Sequence, residues 1–350
     1  MKKYDGIVKS RLFISIILIA TALLCGCRHR YDAVPDAKKA AVYYWRTSMH
    51  LDDEERAFLK SHGVEKMFVR YFDVVLRGGS PMPNATITGL DSVPGGLEIV
   101  PTVFIMENCL QADTAHLAEL LVARVAQMCE THNVTGVREL QIDCDWTTSS
   151  MATFYALLKS IRTYAATRGW RISATIRLHQ LTMPPPPVDY GALMVYNTGN
   201  VRKPDGTNPI LDPNHVAPYL KFLDSYDLPL CAAFPCFEWN LLYDGHDFKA
   251  ILYDAHLSDG SKYKKAGNGK FLAISSSDMP EYNSDGSAAV RINVGDSVLV
   301  ARPSADVILN TQRELAKHRP EINAQVILYS LNSKYLKLYN TDFYEKIYHN

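Results

Sequence analysis

The sequence carries no excess of charge of either sign. Its 350 residues include 37 Lys and Arg against 37 Asp and Glu, so the formal net charge is zero when the histidines are neutral. Proteins that bind nucleic acids or anionic membranes through charge depend on a surplus of basic side chains. The balance therefore argues against a nucleic-acid partner, and the composition leaves the oligomeric state open.

Several motifs for catalysis and metal binding are also missing. The sequence has no glycine-rich phosphate loop, no G-x-S-x-G elbow and no H-E-x-x-H zinc motif. Of the 7 cysteines, those beyond position 27 are odd in number and fit no zinc or disulfide spacing. We expect these to be mostly buried free thiols, and we expect no metal and no other cofactor. They are Cys109, Cys129, Cys144, Cys231 and Cys236.

The N-terminus has the pattern of a secretory signal. Basic residues precede the apolar run LFISIILIATALL, which is shorter than the roughly 20 residues that a membrane-spanning helix needs. The following LCGC resembles the bacterial lipobox, in which the signal is cleaved before a cysteine that is then acylated. This resemblance implies a signal peptide over 1–26, a lipid anchor at Cys27 and a linker over 27–39. The protein would then be held to a bacterial membrane, periplasmic or on the outer surface; an uncleaved membrane helix is the alternative.

From Ala40 onward, short apolar runs alternate with helical patterns, which is typical of parallel β-α units. One large barrel of about 250 residues plus an insertion fits the length. We therefore predict an irregular α/β fold over 40–350, a (β/α)8 TIM-type barrel with a small β-rich insertion at about 245–302 between strands 7 and 8. The eight strand candidates are AAVYYWRT, KMFVRYFDV, LEIVPTVFIM, VRELQIDCDW, RISATIRLHQ, ALMVYNTG, PLCAAFPCF and QVILYSL.

Three local features refine this prediction. The clearest helix is expected over Asp113–Thr131, with Asp113 as its N-cap. The prolines at 184–187 leave no room for a full helix after the fifth strand. The insertion leaves the C-terminal end of a strand, where barrel active sites form, so it either overhangs the substrate or is a small sheet without a role in binding.

Polar side chains alternate with apolar ones in the fourth and fifth strands. Because successive side chains point to opposite faces, Asp143 and Asp145 share one face of strand 4, and Arg177 and His179 share one face of strand 5. The apolar faces should pack on outer helices, which places the polar faces in the barrel lumen. An Asp143–Arg177 ion pair that only fills the lumen is one interpretation. A site at the open mouth, where Asp145 and His179 should end, is the other.

These residues support a resemblance to a known family. IDCDWT resembles the fourth-strand signature of family 18 glycoside hydrolases, the chitinase-like barrels, which commonly ends I-D-x-D-W-E, and LMVYNTG resembles their sixth-strand M-x-Y-D segment. The run from YYWRT to LMVYN also resembles a family of bacterial lipoprotein barrels with no established activity. The first resemblance places Asp143 and Asp145 at the two inner acids and Thr147 at the proton-donating glutamate. Tyr196 and Asn197 stand at the sixth-strand tyrosine and aspartate.

Threonine cannot donate the proton that such enzymes transfer, so another carboxyl group must serve if the chain is a hydrolase. Glu107 is the first candidate because the third strand should neighbour the fourth; Glu238 and Asp73 also end strands. Glycoside hydrolysis requires two carboxyl groups roughly 5 to 10 Å apart, and neighbouring strand ends can supply them. The catalytic candidates are Asp145, Asp143, Glu107 and Glu238.

Other side chains expected at the mouth are candidates for binding the substrate, and the aromatic ones either stack on sugar rings or pack in the rim. They are Asp73, Arg177, His179, Tyr196, Asn197, Trp239 and Arg46. The prediction is an envelope lipoprotein, similar to a glycoside hydrolase, that acts on or binds a carbohydrate at the C-terminal mouth of the barrel. The alternatives are a glycan-binding protein without catalysis and a structural protein of the envelope.

Overall fold

The computed structural model describes residues 33–90, 93–202, 206–253, 255–279 and 290–349. The predicted signal peptide and Cys27 lie outside these residues and stay predictions. Within the described part, no helix is both long enough and apolar enough to cross a membrane. Residues 33–39, expected at the end of the linker, contact the folded body. Val34 is buried there, and Asp36 forms an ion pair with Arg171 at 2.7 Å.

Eight parallel strands close into a barrel, as the sequence predicts. After β1 (Ala40–Tyr44) and β2 (Lys66–Arg77), the chain folds back as β3 (Ser80–Asn84), which pairs with β2 outside the ring. The ring closes because β1 pairs with both β2 and the last strand. The remaining ring strands are β4 (Glu98–Ile105), β5 (Glu139–Asp143), β6 (Arg171–Arg177), β7 (Tyr190–Met194), β8 (Leu230–Pro235) and β16 (Val326–Tyr329).

Helices surround the ring, and each of the longer ones buries an apolar face against it. The longest is α3, which buries Phe154, Leu157 and Ile161. The helices are α1 (Asp53–Ser61), α2 (Leu117–Thr131), α3 (Met151–Ala166), α4 (Pro213–Leu223), α5 (Ala305–His318), α6 (Ser333–Leu336) and α7 (Thr341–His349).

Two of the local predictions can be compared with these bounds. The predicted start of α2 at Asp113 is wrong, because the Asp113 side chain accepts from the Ala115 amide and forms a separate turn before the helix begins at Leu117. The truncated unit after strand β6 is confirmed. Only a short 3-10 helix, Leu178–Thr182, precedes the prolines there.

The polar faces of strands β5 and β6 point into the lumen, as predicted. Gln141 accepts a hydrogen bond from Tyr43 across the barrel at 2.8 Å, and Asp143 accepts one from Thr175 at 2.6 Å. The alternate residues, such as Ile142, belong to the core between strands and helices. The period of two in the sequence therefore gives the correct inward and outward faces.

A buried polar layer fills the N-terminal end of the lumen. Lys66 donates to Glu139 at 2.8 Å, and Glu139 also accepts from Ser173 at 2.6 Å and from Tyr190 at 2.5 Å. None of the four side chains has exposed surface. Because a buried charge is costly unless it is paired and hydrogen-bonded, these partners stabilise one another. The layer closes the barrel opposite the mouth.

The insertion is an antiparallel sheet that begins directly after β8. Its first strand begins at Trp239, which is earlier than the predicted start of the insertion near 245. Leu241 and Tyr243 pack in the same cluster as the lumenal residues Tyr43 and Met194, which places the sheet against the mouth. Its strands are β9 (Trp239–Asp244), β10 (Asp247–Leu252), β11 (Tyr263–Gly267), β12 (Lys270–Ala273) and β15 (Ser297–Ala301), with β13 (Ser277–Met279) and β14 (Val290–Ile292) as a separate pair.

Candidate functional site at the barrel mouth

Asp143 ends strand β5 near the top of the lumen. It is 3% exposed and accepts a hydrogen bond from Thr175 on the neighbouring strand. Burial raises the pKa of this carboxyl from its ordinary value of 3.8 to about 6, although the Arg177 charge acts in the opposite direction. Asp143 is therefore partly protonated in mildly acidic solution.

Arg177 forms its ion pair with Asp145, so the Asp143–Arg177 ion pair, one of the two interpretations of the sequence, is not formed, although the two charges influence each other. The Arg177 Nε donates to Asp145 Oδ1 at 2.5 Å, and the Asp145 side chain is 54% exposed. Asp145 lies beyond the last residue of β5, where strand alternation no longer fixes the direction of a side chain, so its carboxylate reaches the guanidinium. Burial opposes the Arg177 charge, but Asp143 and Asp145 outweigh it and raise the pKa of Arg177. Arg177 therefore stays a cation.

A pocket of about 290 Å³ opens at the mouth beside β6, β7 and helix α4. Its size is near the lower end of the range for small-molecule sites, roughly 300 to 1,000 Å³. Five of the predicted site residues share this pocket, which brings the fourth, fifth and sixth strand ends together. The lining residues are Asp145, Arg177, Leu178, His179, Met194, Tyr196, Asn197, Thr198, His215 and Tyr219.

Tyr196 lines the pocket, and its hydroxyl is buried. The residue is 4% exposed, and its ring stacks on Tyr329 with 4.8 Å between centroids. Among the described residues, no group forms a hydrogen bond with this hydroxyl. An unsatisfied buried polar group costs about 1 to 3 kcal/mol, so a ligand atom that completes the bond is favoured. Asn197 follows in a left-handed conformation, with φ of 56°, and is exposed at the pocket rim.

His179 lies at the exposed edge of the same pocket. Burial of its ring lowers the pKa of His179 from the ordinary value of 6.5, while the nearby Asp145 carboxylate acts in the opposite direction. The imidazole is therefore mostly neutral at pH 7, where one ring nitrogen accepts a hydrogen bond and the other donates. Such a group can bind a sugar hydroxyl from either side.

Aromatic side chains from four strand ends form a wall beside the pocket. The Tyr329 ring contacts Trp45 at 5.8 Å, Phe237 at 5.7 Å and Tyr196 at 4.8 Å between centroids. Trp239 of the insertion packs on Phe237 at 5.5 Å. Trp45 and Trp239 are only partly buried, so each keeps indole surface available for stacking.

Glu107 lies beside Thr147, the residue that stands where a chitinase-like barrel has its proton donor. Its Oε1 accepts hydrogen bonds from Thr147 Oγ1 at 2.6 Å and Ser150 Oγ at 2.7 Å. These two bonds lower the pKa of Glu107 because they favour its charged form. Glu107 is therefore a carboxylate at neutral pH, which counts against its predicted role as a general acid.

Cations hold two further predicted carboxylates. Asp73 is buried and forms an ion pair with Arg70, whose Nε donates to Asp73 Oδ1 at 2.7 Å. Glu238 is less tightly held and lies 3.8 Å from Arg302. Both carboxylates therefore face a cation from their own neighbourhood.

Arg46 has a structural contact that the sequence does not reveal. Its Nη2 donates to both carboxylate oxygens of the fully buried Glu55, at 2.8 and 2.7 Å. Glu55 also accepts from the Asp52 amide in the capping box that begins helix α1. Arg46 therefore fastens the first loop to α1, and its placement does not join it to the pocket.

Several residues at the mouth escaped the sequence analysis. Tyr329 ends the eighth strand two residues after the lumenal Ile327, so alternation applied to that strand would have found it. His215 and Tyr219 line the pocket from α4, four residues apart on one helix face. That spacing alone does not distinguish a pocket wall from an ordinary amphipathic helix.

The described residues contain no group of three or more His, Cys, Asp or Glu side chains arranged to hold a metal ion. The five cysteines are free and buried, as predicted. Burial raises the pKa of the Cys144 thiol, so this neighbour of Asp143 and Asp145 is a packing residue and not a nucleophile.

Neither a protein-family model nor a curated protein matches the sequence. Solved structures do match in fold. A chitinase from Chromobacterium violaceum has a TM-score of 0.52 and 10% identity, over 88% of this chain and 97% of that chain. The spore cortex-lytic enzyme SleL of Bacillus cereus has a TM-score of 0.53 and 10% identity, over 88% and 73%.

A third match is catalytic domain 2 of an Ostrinia furnacalis Group II chitinase, solved in complex with penta-N-acetylchitooctaose. Its TM-score is 0.50 with 11% identity, over 89% of this chain and 96% of that chain. The chain has the fold of a chitinase-like barrel. Identities this low establish the fold alone, so the function must be argued from the residues of the mouth.

Proposed function

We propose that this chitinase-like barrel binds a glycan at its C-terminal mouth. The observation that carries the proposal is the pocket, which is lined by the Arg177–Asp145 pair and by Tyr196 with its buried, unpaired hydroxyl. The aromatic wall that includes Trp45 packs on Tyr196 through Tyr329. Sugars offer hydroxyls to charged groups and flat C–H faces to aromatic rings, so this combination suits them. The chito-oligosaccharide of the Ostrinia furnacalis structure supports N-acetylated sugars as the first ligands to test.

The carboxyl groups of the mouth argue against hydrolysis by the chitinase mechanism. Thr147 carries no transferable acid proton at the required position. Glu107 beside it is held as a carboxylate by Thr147 and Ser150. Loss of a general acid typically lowers a rate by 10² to 10⁴-fold. We therefore propose that binding, rather than turnover, is the main function.

A second candidate is slow hydrolysis in mildly acidic solution, and one observation favours it. Asp143 has a pKa raised to about 6, so a fraction of this carboxyl carries a proton near pH 5 to 6. Its burial beneath Arg177 and Asp145 limits contact with a substrate oxygen, which makes this the weaker candidate. Product release that rises as the pH falls through 6 would support it.

Calorimetric titration with chito-oligosaccharides, together with chromatography for released products, tests the proposal. Tyr196→Phe removes only the unpaired hydroxyl and should weaken binding about three- to tenfold, because a ligand hydrogen bond is worth about 1 kcal/mol. Tyr164→Phe is the matched control, since Tyr164 lies exposed on helix α3 outside the barrel. Equal affinities for both variants and the unmodified chain would remove the pocket from the binding site.

We also propose that the chain is anchored to a bacterial membrane through a lipid on Cys27, with the barrel in the periplasm or on the outer surface. The support is the signal-like pattern and the LCGC segment of the sequence. An envelope location would bring the mouth to cell-wall or surface glycans.

A further inference from the structure

One face of the insertion sheet runs from the barrel mouth to the outer edge of the sheet. Trp239 pairs with Ala301, and Leu299, two residues before Ala301, pairs with Lys270. Side chains two residues apart share a face of a strand, and directly paired residues lie on the same face. Trp239, Leu299 and Lys270 therefore lie on one continuous surface.

This surface ends at two lysines. Leu272 shares the face of Lys270 in strand β12 and pairs with Lys264 in the edge strand β11. From β9 across β15 and β12 to β11 there are three strand spacings, so the face extends about 14 Å from the mouth. We refer to the part that carries Lys264, Lys270 and Leu272 as the overhang face.

The overhang face is uncovered, although the same face is buried nearer the barrel. Leu241 and Ala301 pack in the cluster that includes the lumenal residues. Farther out, Leu272 is 37% exposed, and Lys264 and Lys270 are exposed. The sheet thus offers an apolar residue next to two cations, on the face that carries the partly buried indole of Trp239 nearer the barrel.

The two lysines differ from other lysines of the insertion in their charge partners. Lys249 forms an ion pair with Asp296 at 2.6 Å, and Lys262 lies 4.0 Å from Asp259. No carboxylate within the described ranges forms an ion pair with Lys264 or Lys270. The overhang face therefore carries a local positive charge although the whole chain has none in excess.

We propose that the overhang face continues the binding site of the mouth and that its ligand is an acidic, carboxylate-bearing glycan. This inference rests on the proposed glycan-binding function and adds the class of glycan. A chain that leaves the pocket passes Trp239 and reaches Leu272, where a sugar face packs and a carboxylate pairs with Lys264 or Lys270. The continuity of the face and its unpaired positive charge select an anionic ligand over a neutral one.

Exposed lysines on an edge strand also have a general role, because they hinder pairing with another sheet edge. That role does not depend on which face of the strand a lysine occupies. Lys265 is the neighbour of Lys264 in β11 and is also exposed, but it pairs with Phe271 on the opposite face. Phe271 packs on the separate core of the insertion. Lys265 is therefore a matched control for charge, strand and exposure.

The test is calorimetric titration of the purified chain with hyaluronan and polygalacturonate oligosaccharides. Carboxyl-reduced forms of both and neutral chito-oligosaccharides serve as uncharged probes. We expect tighter binding of at least one acidic probe than of its reduced form, weakened by added salt. The double variant Lys264→Gln with Lys270→Gln should bind the acidic probe about three- to tenfold more weakly, as expected for the loss of two exposed charge pairs. Lys265→Gln should leave its affinity unchanged.

Several outcomes would overturn the inference. Equal binding of the acidic and reduced probes would show that charge is not recognised. Equal losses of affinity from Lys265→Gln and Lys264→Gln would show that the ligand does not recognise this face of the sheet. The same lysine dependence for anionic lipid vesicles or DNA, without glycan binding, would assign the face to another ligand. Binding of neutral chito-oligosaccharides alone would leave the proposed function standing and remove only the acidic class, whereas no binding of any glycan would refute the proposed function itself.

Discussion

Replacing Asp143 by asparagine should abolish a loss of stability that the unmodified chain shows between about pH 4 and pH 6. Asp143 is buried, and its folded-state pKa of about 6 lies above its ordinary value of 3.8. Below pH 3.8 the carboxyl is protonated in both states, so it imposes no penalty. As the pH rises, the unfolded chain loses the proton first, and the folded state becomes progressively less favoured until the folded carboxyl has ionised as well.

The magnitude follows from that difference in pKa. Each pKa unit corresponds to about 1.4 kcal/mol, so the ionised Asp143 destabilises the fold by about 3 kcal/mol above pH 6. The amide side chain of the Asp143→Asn variant would keep the oxygen that accepts from Thr175 Oγ1 at 2.6 Å but would carry no charge at any pH. Arg177 would still have its contact with Asp145. The variant should therefore fold about as well as the unmodified chain at pH 4 and better at pH 7.

Urea unfolding followed by tryptophan fluorescence at half-unit steps from pH 4 to pH 8 measures this difference. The quantity to compare is the free energy of unfolding of the variant minus that of the unmodified chain. This difference should rise by about 2 to 3 kcal/mol over the range and level off above pH 6. Asp145→Asn is the control at the exposed partner of Arg177. A difference that stays flat with pH, or that falls, would mean that Asp143 is not buried as a carboxylate at the top of the lumen.

Three other predictions concern the closed end, the missing acid and the anchor. Lys66→Met removes the closer of two cations that pair with the buried Glu139, which keeps only Arg171 at 3.5 Å. The variant should lose up to about 3 to 5 kcal/mol in urea unfolding, and a second change, Glu139→Gln, should recover much of the loss. No recovery would contradict the pairing. Thr147→Glu places a second carboxyl beside Glu107, and the repulsion between the two raises the pKa of one of them. Chromatography should then detect new cleavage of chito-oligosaccharides. No gain over the unmodified chain would count against the assignment of position 147 to the missing proton donor. Cys27→Ser should move the chain from the membrane to the soluble fraction after centrifugation, and unchanged partitioning would refute the lipid anchor.

The barrel was predictable because its signals are local and repeated. Strand alternation identified the lumenal faces of β5 and β6, so Gln141, Asp143 and Thr175 lie where a period of two places them. Their positions at or just after the C-terminal ends of neighbouring strands placed Asp145, Arg177 and His179 near one mouth, and they share a pocket. The burial of hydrophobic faces determines which side of each strand points inward, and it depends little on the partner of any single polar group.

The partners of the polar groups were harder to predict from the sequence. Arg177 contacts Asp145 and not Asp143, because a residue just beyond a strand end turns with the loop and leaves the strand's alternation. Glu107 was a plausible acid by position, but two hydroxyls that come from a different unit of the barrel hold it as a carboxylate. Such contacts depend on how separate chain segments approach each other, to within a few tenths of an ångström. The spacing of residues along one strand does not encode this.

The closed end of the lumen has a consequence for the kinetics of ligand exchange. Because Lys66, Glu139, Ser173 and Tyr190 fill the barrel at its other end, a ligand in the pocket enters and leaves by the same passage, the open mouth. A substitution that narrows or widens this passage without touching the bound ligand alters the height of one barrier crossed in both directions. The association and dissociation rate constants must then change by the same factor, and the dissociation constant must stay fixed.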